Sequence, residues 1–83
     1  MTRYTFSTLG KDGERYYPEY SLAGRVAGAG LNDYRWTTDI KKAMTWEEQE
    51  IVEMVAIEFE NTEIIEITGG ESKIYKVIKK MEE

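Results

Sequence analysis

The residues that could do chemistry in this chain are carboxylates, tyrosines, arginines and lysines, because it contains no histidine and no cysteine. The commonest general base, the strongest nucleophile and the usual transition-metal ligands are therefore missing. Carboxylates recur at the i,i+3 spacing of a helix, Glu47 with Glu50 and Glu50 with Glu53. Paired acids do acid–base work only where burial removes one of them from water. These pairs lie opposite the apolar stripe of a predicted helix, so we expect no catalytic residue and no enzyme.

Cofactor and metal motifs are also missing from the sequence. The glycines of residues 24–30 (GRVAGAG) follow the spacing GxxxGxG, not the GxGxxG of a dinucleotide-binding loop, and the GK[ST] of a P-loop does not follow them. Asp12, Glu14 and Glu19 do not have the spacing of a calcium-binding EF-hand loop. We therefore expect no cofactor and no metal ion.

The chain is organised around one amphipathic helix, which we predict over residues 46–60. Thr45 and Glu48 have the spacing of an N-terminal capping box, and Asn61 tolerates the left-handed conformation that ends helices. At 100° per residue, five apolar side chains fall on one side: Ile51, Val52, Val55, Ala56 and Phe59.

The opposite side of this helix is the first candidate interaction surface. It combines aromatic, apolar and acidic side chains: Trp46, Glu50, Glu53, Met54 and Ile57. A Trp and an Ile among acids on a solvent-facing side are typical of a dimer or partner interface. The alternative is that Trp46 folds back over the preceding turn near Ile40.

A second candidate surface combines aromatic and arginine side chains. Tyrosines and a tryptophan between residues 16 and 36 are interleaved with arginines, residue types that stack on nucleic-acid bases or anchor interfaces. The alternative is that alternate aromatics fill the core of a small sheet. The residues selected for the exposed role are Tyr17, Tyr20, Arg25 and Arg35.

The net charge of −5 is unevenly distributed along the chain. Residues 1–42 hold seven basic and five acidic residues, whereas residues 43–83 hold four lysines and eleven glutamates. The acidic helix would repel nucleic acid, so direct nucleic-acid binding is not expected of it. It could instead bind a basic protein, including a nucleic-acid-binding protein whose groove it blocks. The alternative is a solvated acidic face that keeps a small protein in solution.

Strand patterns flank the helix on both sides. Alternation predicts strands over residues 3–9, 14–20, 33–37, 62–68 and 73–80, with Gly-containing turns at 10–13 and 69–72. Pro18 cannot donate a backbone hydrogen bond, so it should make the second strand an edge strand or end it. Thr38 and Asp39 should cap a single helical turn over residues 40–43. Residues 21–30 could be a strand, a loop or a short helix, and we favour extended structure leading into a mobile loop at 28–32.

These elements predict one domain over residues 1–83 of the α+β class. We expect a mostly antiparallel sheet of four or five strands, with the helix packed on one face, in the order β-β-(β)-α-β-β. No apolar run approaches the roughly 20 residues that span a bilayer, and no leader sequence or disulfide framework is recognisable. We therefore expect a cytoplasmic protein.

The middle of the chain resembles a family of small phage and prophage accessory proteins. The resemblance rests on residues 36–39 (WTTD), Ala43, Trp46, the Glu-rich helix and residues 62–67 (TEIIEI). It implies a mobile-element origin and an accessory role in the host cytoplasm. Such proteins include inhibitors of host defence nucleases, a class that the acidic charge fits. The three function hypotheses are thus a protein-interaction module, a nuclease inhibitor, and a nucleic-acid binder that uses the arginines and aromatics.

Overall fold

Five antiparallel strands form one sheet in the part of the chain that the computed structural model describes, residues 1–21 and 33–81. They are β1 (Arg3–Leu9), β2 (Arg15–Ser21), β3 (Tyr34–Thr37), β4 (Thr62–Thr68) and β5 (Ile74–Met81), in the sheet order β3-β2-β1-β4-β5. One helix, α1 (Gln49–Ala56), contacts β1 and β4. The predicted α+β class and order of elements are confirmed. None of the described helices is long and apolar enough to cross a membrane.

Strand β1 lies in the middle of the sheet and is buried on both faces. Its register with β4 runs from Arg3 opposite Ile67 to Ser7 opposite Glu63. Phe6 faces the helix and is fully buried, while Thr5 on the opposite face is also fully buried beside Ile65. The alternation of apolar and small polar residues in this strand therefore suits a position with packing on two sides.

Pro18 occupies an internal strand, so the expectation that it makes β2 an edge strand or ends it is wrong. The ladder between β1 and β2 covers only Thr8 with Tyr16 and Leu9 with Arg15. Beyond this point β1 separates from β2. The backbone N–H of Met44 then donates to the carbonyl of Pro18 at 2.7 Å. Pro18 thus accepts a hydrogen bond on this side, where it has no N–H to give.

The helix is shorter than predicted, and the predicted capping box does not form. Helix α1 begins at Gln49, and the preceding Glu48 makes no side-chain capping hydrogen bond. The Thr45 hydroxyl instead accepts a hydrogen bond from Arg3 Nε at 2.9 Å. The helix ends at Ala56, four residues before the predicted end. Asn61 does adopt the left-handed conformation, with φ of 51°, but it ends the connecting turn before β4.

The apolar stripe predicted for the helix is the side that packs on the sheet. Val52, Val55 and Ala56 are buried there, together with Phe59 just beyond the helix. Aromatic rings complete the core, and Phe6 is at their centre: its ring centroid lies 5.5 Å from that of Phe59 and 6.1 Å from that of Trp36. Aromatic core packing, the alternative reading of the aromatic pattern, therefore applies to Trp36.

The C-terminal hairpin forms as predicted, with one irregularity. Gly69 begins its turn with φ of 86°, in the left-handed region that glycine occupies without strain. The β4–β5 register shifts between Ile64 and Ile65, where Ile78 is the extra residue on β5. The shift keeps Ile78 packed against the core.

The predicted helical turn after β3 is confirmed, whereas most of the segment after β2 lies outside the described residues. A 3₁₀ turn covers Ile40–Lys42, and the Asp39 side chain accepts a hydrogen bond from the N–H of Lys41, as expected for a capped helical turn. Ser21 is the last residue of β2. The predictions for residues 22–32, including the mobile loop, lie outside the described residues.

Candidate functional site

The outer helix surface consists of Glu50, Glu53, Met54 and Ile57. These positions fall within about 100° of one another around a helix axis, on the side away from the sheet. Ile57 is 70% exposed and Met54 is 54% exposed, and among the large apolar side chains of the described residues only Met1 is more exposed than Ile57. Four of the five residues proposed for the first candidate surface are therefore brought together.

Trp46 does not belong to this surface, and its prediction as a surface residue is wrong. It precedes α1 and is only 4% exposed. Its backbone N–H donates to the carbonyl of Tyr4 at 2.7 Å, and the N–H of Tyr4 donates back to the carbonyl of Trp46 at 2.8 Å. This bridge pairs Trp46 with β1 and places its indole ring beside Phe6, with ring centroids 6.0 Å apart. The extended backbone removes Trp46 from the helical periodicity on which the prediction rested.

Glu53 links the outer helix surface to the sheet. Its carboxylate accepts a hydrogen bond from Lys79 Nζ of β5 at 2.6 Å and another from the Gln49 side chain at 3.1 Å. The hydrogen bond from Lys79 holds the pKa of Glu53 below its ordinary value, with a further lowering from Gln49. Glu53 is therefore already paired, whereas Glu50 points to solvent with no ion pair to another described residue.

The second candidate surface is only partly described. Tyr20 and Arg35 lie opposite each other in the β2–β3 ladder, and the Arg35 guanidinium carbon sits 5.4 Å from the centre of the Tyr20 ring. Tyr17 is half-buried opposite Thr37. Arg25 lies outside the described residues. The structure thus brings together one arginine and one tyrosine of this set, and they interact with each other.

A third feature was missed by the sequence reasoning: a groove of about 610 Å³ between the β1–β2 turn and the chain that follows α1. We call it the aromatic groove. Its apolar lining comes from the β1–β2 hairpin, from β3 and from the segment after α1: Leu9, Gly10, Tyr16, Trp36 and Phe59. Its charged lining residues are Lys11, Glu58 and Glu60. The pairing of β1 with β2 and of β2 with β3 brings Leu9, Tyr16 and Trp36 together, and the packing of the segment after α1 adds Phe59. No single stretch of sequence therefore contains the site.

Hydrogen bonds hold both walls of the aromatic groove. Thr8 Oγ1 donates to the backbone carbonyl of Glu60 at 2.7 Å, which ties the segment after the helix to β1. On the other wall, the Tyr16 hydroxyl donates to the Asp12 carboxylate, and this bond lowers the pKa of Asp12 and raises the pKa of Tyr16. The Tyr16 ring also covers Gly10, where an added Cβ would lie 2.5 Å from ring atom Cε2. Glycine at position 10 is therefore what allows the ring to lie there.

Within the described residues, no group of three or more acidic side chains is arranged to hold a metal ion. Comparison with known proteins adds no family: no family model, no curated protein and no solved structure matches the chain.

Proposed function

We propose that this chain is a small, non-enzymatic protein-interaction module that binds a basic partner protein through the outer helix surface. The observation that carries the proposal is the exposure of Met54 and Ile57 beside Glu50 on one side of α1. Full burial of an apolar side chain of this size contributes about 1.5–3 kcal/mol. An apolar pair within a charged setting suits an interface with an apolar centre and a polar rim.

The charge around this surface selects the partner. The chain from residue 43 to residue 72 contains no basic residue. Glu48, Glu50 and Glu58 are exposed there, and none of them forms an ion pair with another described residue. A partner with lysines and arginines around an apolar pocket would complement both features, and its association would slow as salt screens the charges. Nucleic-acid-binding proteins have such surfaces, so a nuclease inhibited by blockage of its groove is one form that the partner could take.

A second copy of this chain is a poorer partner for the same surface. Two-fold dimers place the same patch of each subunit against its equivalent. Packing two outer helix surfaces together would therefore oppose their glutamates, and like charges across an interface are unfavourable. A different, basic protein is therefore a better partner for this surface than a second copy of the chain.

The non-enzymatic part of the proposal is supported by the residue inventory, which lacks histidine and cysteine. The resemblance of residues 34–68 to phage accessory proteins supports a mobile-element origin and a role in the cytoplasm of a bacterial host. On this proposal the partner is a host protein, and a bacterial lysate is the material in which to search for it.

The test compares proteins captured from a nuclease-treated bacterial lysate by matched variants. Glu50→Lys reverses a charge on the outer helix surface, and Glu71→Lys makes the same change at an exposed glutamate in the β4–β5 turn. Ile57→Gln removes an exposed apolar side chain from the surface, and Ile74→Gln does so on β5, where Ile74 is 63% exposed. The first member of each pair should lose the partner, whereas the second should retain it.

Quantitative mass spectrometry measures the enrichment of each captured protein. Equal capture by both members of a pair contradicts the assignment of the surface. Capture of a protein that persists after nuclease treatment, but is lost with Glu50→Lys and at high salt, supports the assignment of the surface. Capture that disappears after nuclease treatment favours the nucleic-acid-binding hypothesis instead.

A further inference from the structure

The aromatic groove has a lining that is apolar at its centre and charged at its edge. Phe59 and Trp36 pack edge-to-face, with ring centroids 5.3 Å apart. Leu9 remains 42% exposed beside them, so part of the apolar lining faces solvent. The volume of about 610 Å³ falls within the range of ordinary ligand sites. The groove therefore has room for a long side chain and for part of the backbone that carries it.

The charges along the groove are predominantly negative. Glu58 and Glu60 are exposed on the wall that follows α1, and Lys11 is exposed on the opposite wall. None of these three residues forms an ion pair with another described residue. An apolar occupant would partly remove the carboxylates from water without giving them a partner, which is unfavourable. A cationic occupant would pair with them.

The occupant that satisfies both features has an apolar stem and a cationic end. Lysine and arginine side chains bury their methylene groups along apolar surfaces while the charge stays at the edge. The arginine guanidinium also stacks on aromatic rings and donates to carboxylates in a planar, two-pronged geometry, which an ammonium group does not. Arginine therefore matches an aromatic lining bordered by two carboxylates better than lysine does.

We propose that the aromatic groove binds an arginine side chain of a protein partner, with its methylene groups against Trp36 and its guanidinium at Glu58 and Glu60. The groove adjoins the outer helix surface, because Ile57 and Glu58 are consecutive residues. This inference rests on the proposed function for its choice of a basic protein. The groove itself can be tested without that partner.

The test is a titration of the ¹⁵N-labelled full chain with blocked tripeptides, followed by NMR. The probes are acetyl-Gly-Arg-Gly-amide, the same peptide with lysine, the same with citrulline, which keeps the shape of arginine without its charge, and the same with leucine. The indole N–H of Trp36 reports on the groove, and that of the buried Trp46 serves as an internal reference. We expect the arginine peptide to shift the Trp36 resonance with a dissociation constant of about 1 mM, which corresponds to about −4 kcal/mol. The citrulline and leucine peptides should bind at least about tenfold more weakly.

Substitutions at the groove edge should move this affinity in opposite directions. Glu58→Gln with Glu60→Gln should weaken arginine binding by about tenfold or more, since both charge-assisted partners are lost. Lys11→Gln should strengthen it, because a like charge is removed. Glu71→Gln in the β4–β5 turn should leave it unchanged. Each of these exposed positions can be changed without disturbing the core.

Three results would overturn the inference: no shift of the Trp36 resonance with any peptide, equal affinity for arginine and citrulline, or tighter binding of leucine than of arginine. Tighter binding of lysine than of arginine would overturn the choice of guanidinium. These outcomes are separate from the lysate experiment. Arginine binding without capture of a basic protein would contradict the proposed function alone. Capture of a basic protein without arginine binding would contradict only the inference that the aromatic groove binds arginine.

Discussion

Replacing Trp46 with alanine is expected to lower the free energy of unfolding by about 3–5 kcal/mol, the cost of truncating a buried tryptophan. Trp46 is 4% exposed, lies against Phe6, and belongs to the buried cluster of the helix face. A residue on a solvated helix face would instead cost within about 0.5 kcal/mol. The two placements of Trp46 considered from the sequence therefore differ several-fold in a measurable quantity.

The size of the effect matters because a chain of 83 residues has only about 4–12 kcal/mol of stability in total. Trp46→Ala can therefore unfold a large part of the population, and Trp46→Phe provides the milder test. It keeps a ring beside Phe6 and should lower the free energy of unfolding by less than the alanine change, about 1–3 kcal/mol. Ile57→Ala is the control, because Ile57 is 70% exposed and its truncation should cost less than about 0.5 kcal/mol.

The measurement is urea unfolding followed by far-ultraviolet circular dichroism, with the midpoint and the slope compared across the three variants. Burial of Trp46 predicts the order Trp46→Ala, Trp46→Phe, Ile57→Ala from most to least destabilised, with similar slopes. A cost below about 1 kcal/mol for Trp46→Ala would refute its place in the core. So would a cost for Ile57→Ala as large as that for Trp46→Phe.

Three further predictions concern a turn, an ion pair and a buried hydroxyl. Gly69→Ala should lower the free energy of unfolding by about 1–3 kcal/mol, because φ is 86° and the added Cβ would lie 2.4 Å from the Ser72 carbonyl oxygen. Gly70→Ala is the control: no described atom lies near its added Cβ, so it should lower the free energy of unfolding by less than about 0.5 kcal/mol in the same urea experiment. A double-mutant cycle on Glu53 and Lys79 should give a coupling of about 0.2–1 kcal/mol at neutral pH. The folded-state pKa of Glu53 is lowered, so this contribution is present above the unfolded-state value, about 4.3, and is lost as pH falls through the folded-state value. Thr5→Val should stabilise the protein by about 1 kcal/mol, because the Thr5 hydroxyl is fully buried without a hydrogen-bond partner among the described residues.

Each of these three predictions has a result that would contradict it. Equal costs at the two glycines would mean that the left-handed conformation at Gly69 is not required. A coupling between Glu53 and Lys79 that stayed constant down to pH 2 would exclude the carboxylate as its source. A destabilising Thr5→Val would mean that the hydroxyl makes a hydrogen bond after all.

The parts of the fold that could be predicted are those in which one stretch of sequence fixes its own pattern. The limits of β1 were predicted to the residue, and the β4–β5 hairpin nearly so, because alternation and glycine turns are local properties. The apolar stripe of α1 was also predicted correctly. Each of these patterns depends on residues within a few positions of one another.

The errors arose where a distant residue competes for a local interaction. Thr45 had the spacing of a capping residue, but its hydroxyl accepts from Arg3 in β1. Trp46 had helical spacing, but its backbone pairs with Tyr4. Pro18 argued for an edge strand, but β1 separates from β2 before reaching it. In each case a tertiary contact replaced the local preference.

The candidate surfaces show the same contrast between local patterns and long-range contacts. Met54 and Ile57 were placed on the outer helix surface from helical spacing alone, and both are exposed there. The aromatic groove was missed because Tyr16, Trp36 and Phe59 meet only through the order of the strands and the packing of the segment after α1 against them. A pattern search along the sequence has no means of detecting a cavity built in this way.

The central position of β1 also has a consequence for how the protein is made. One edge of β1 pairs with β4, which lies most of the chain further on, so Arg3 opposite Ile67 closes a very long loop. Such contacts form slowly, because loop closure costs entropy before any contact repays it. During synthesis, an edge of β1 that is later internal stays unpaired until β4 has left the ribosome. Until then, the backbone around Phe6 is open to pairing with another nascent chain. The longer β4 takes to emerge, the more the chain should aggregate in the cell.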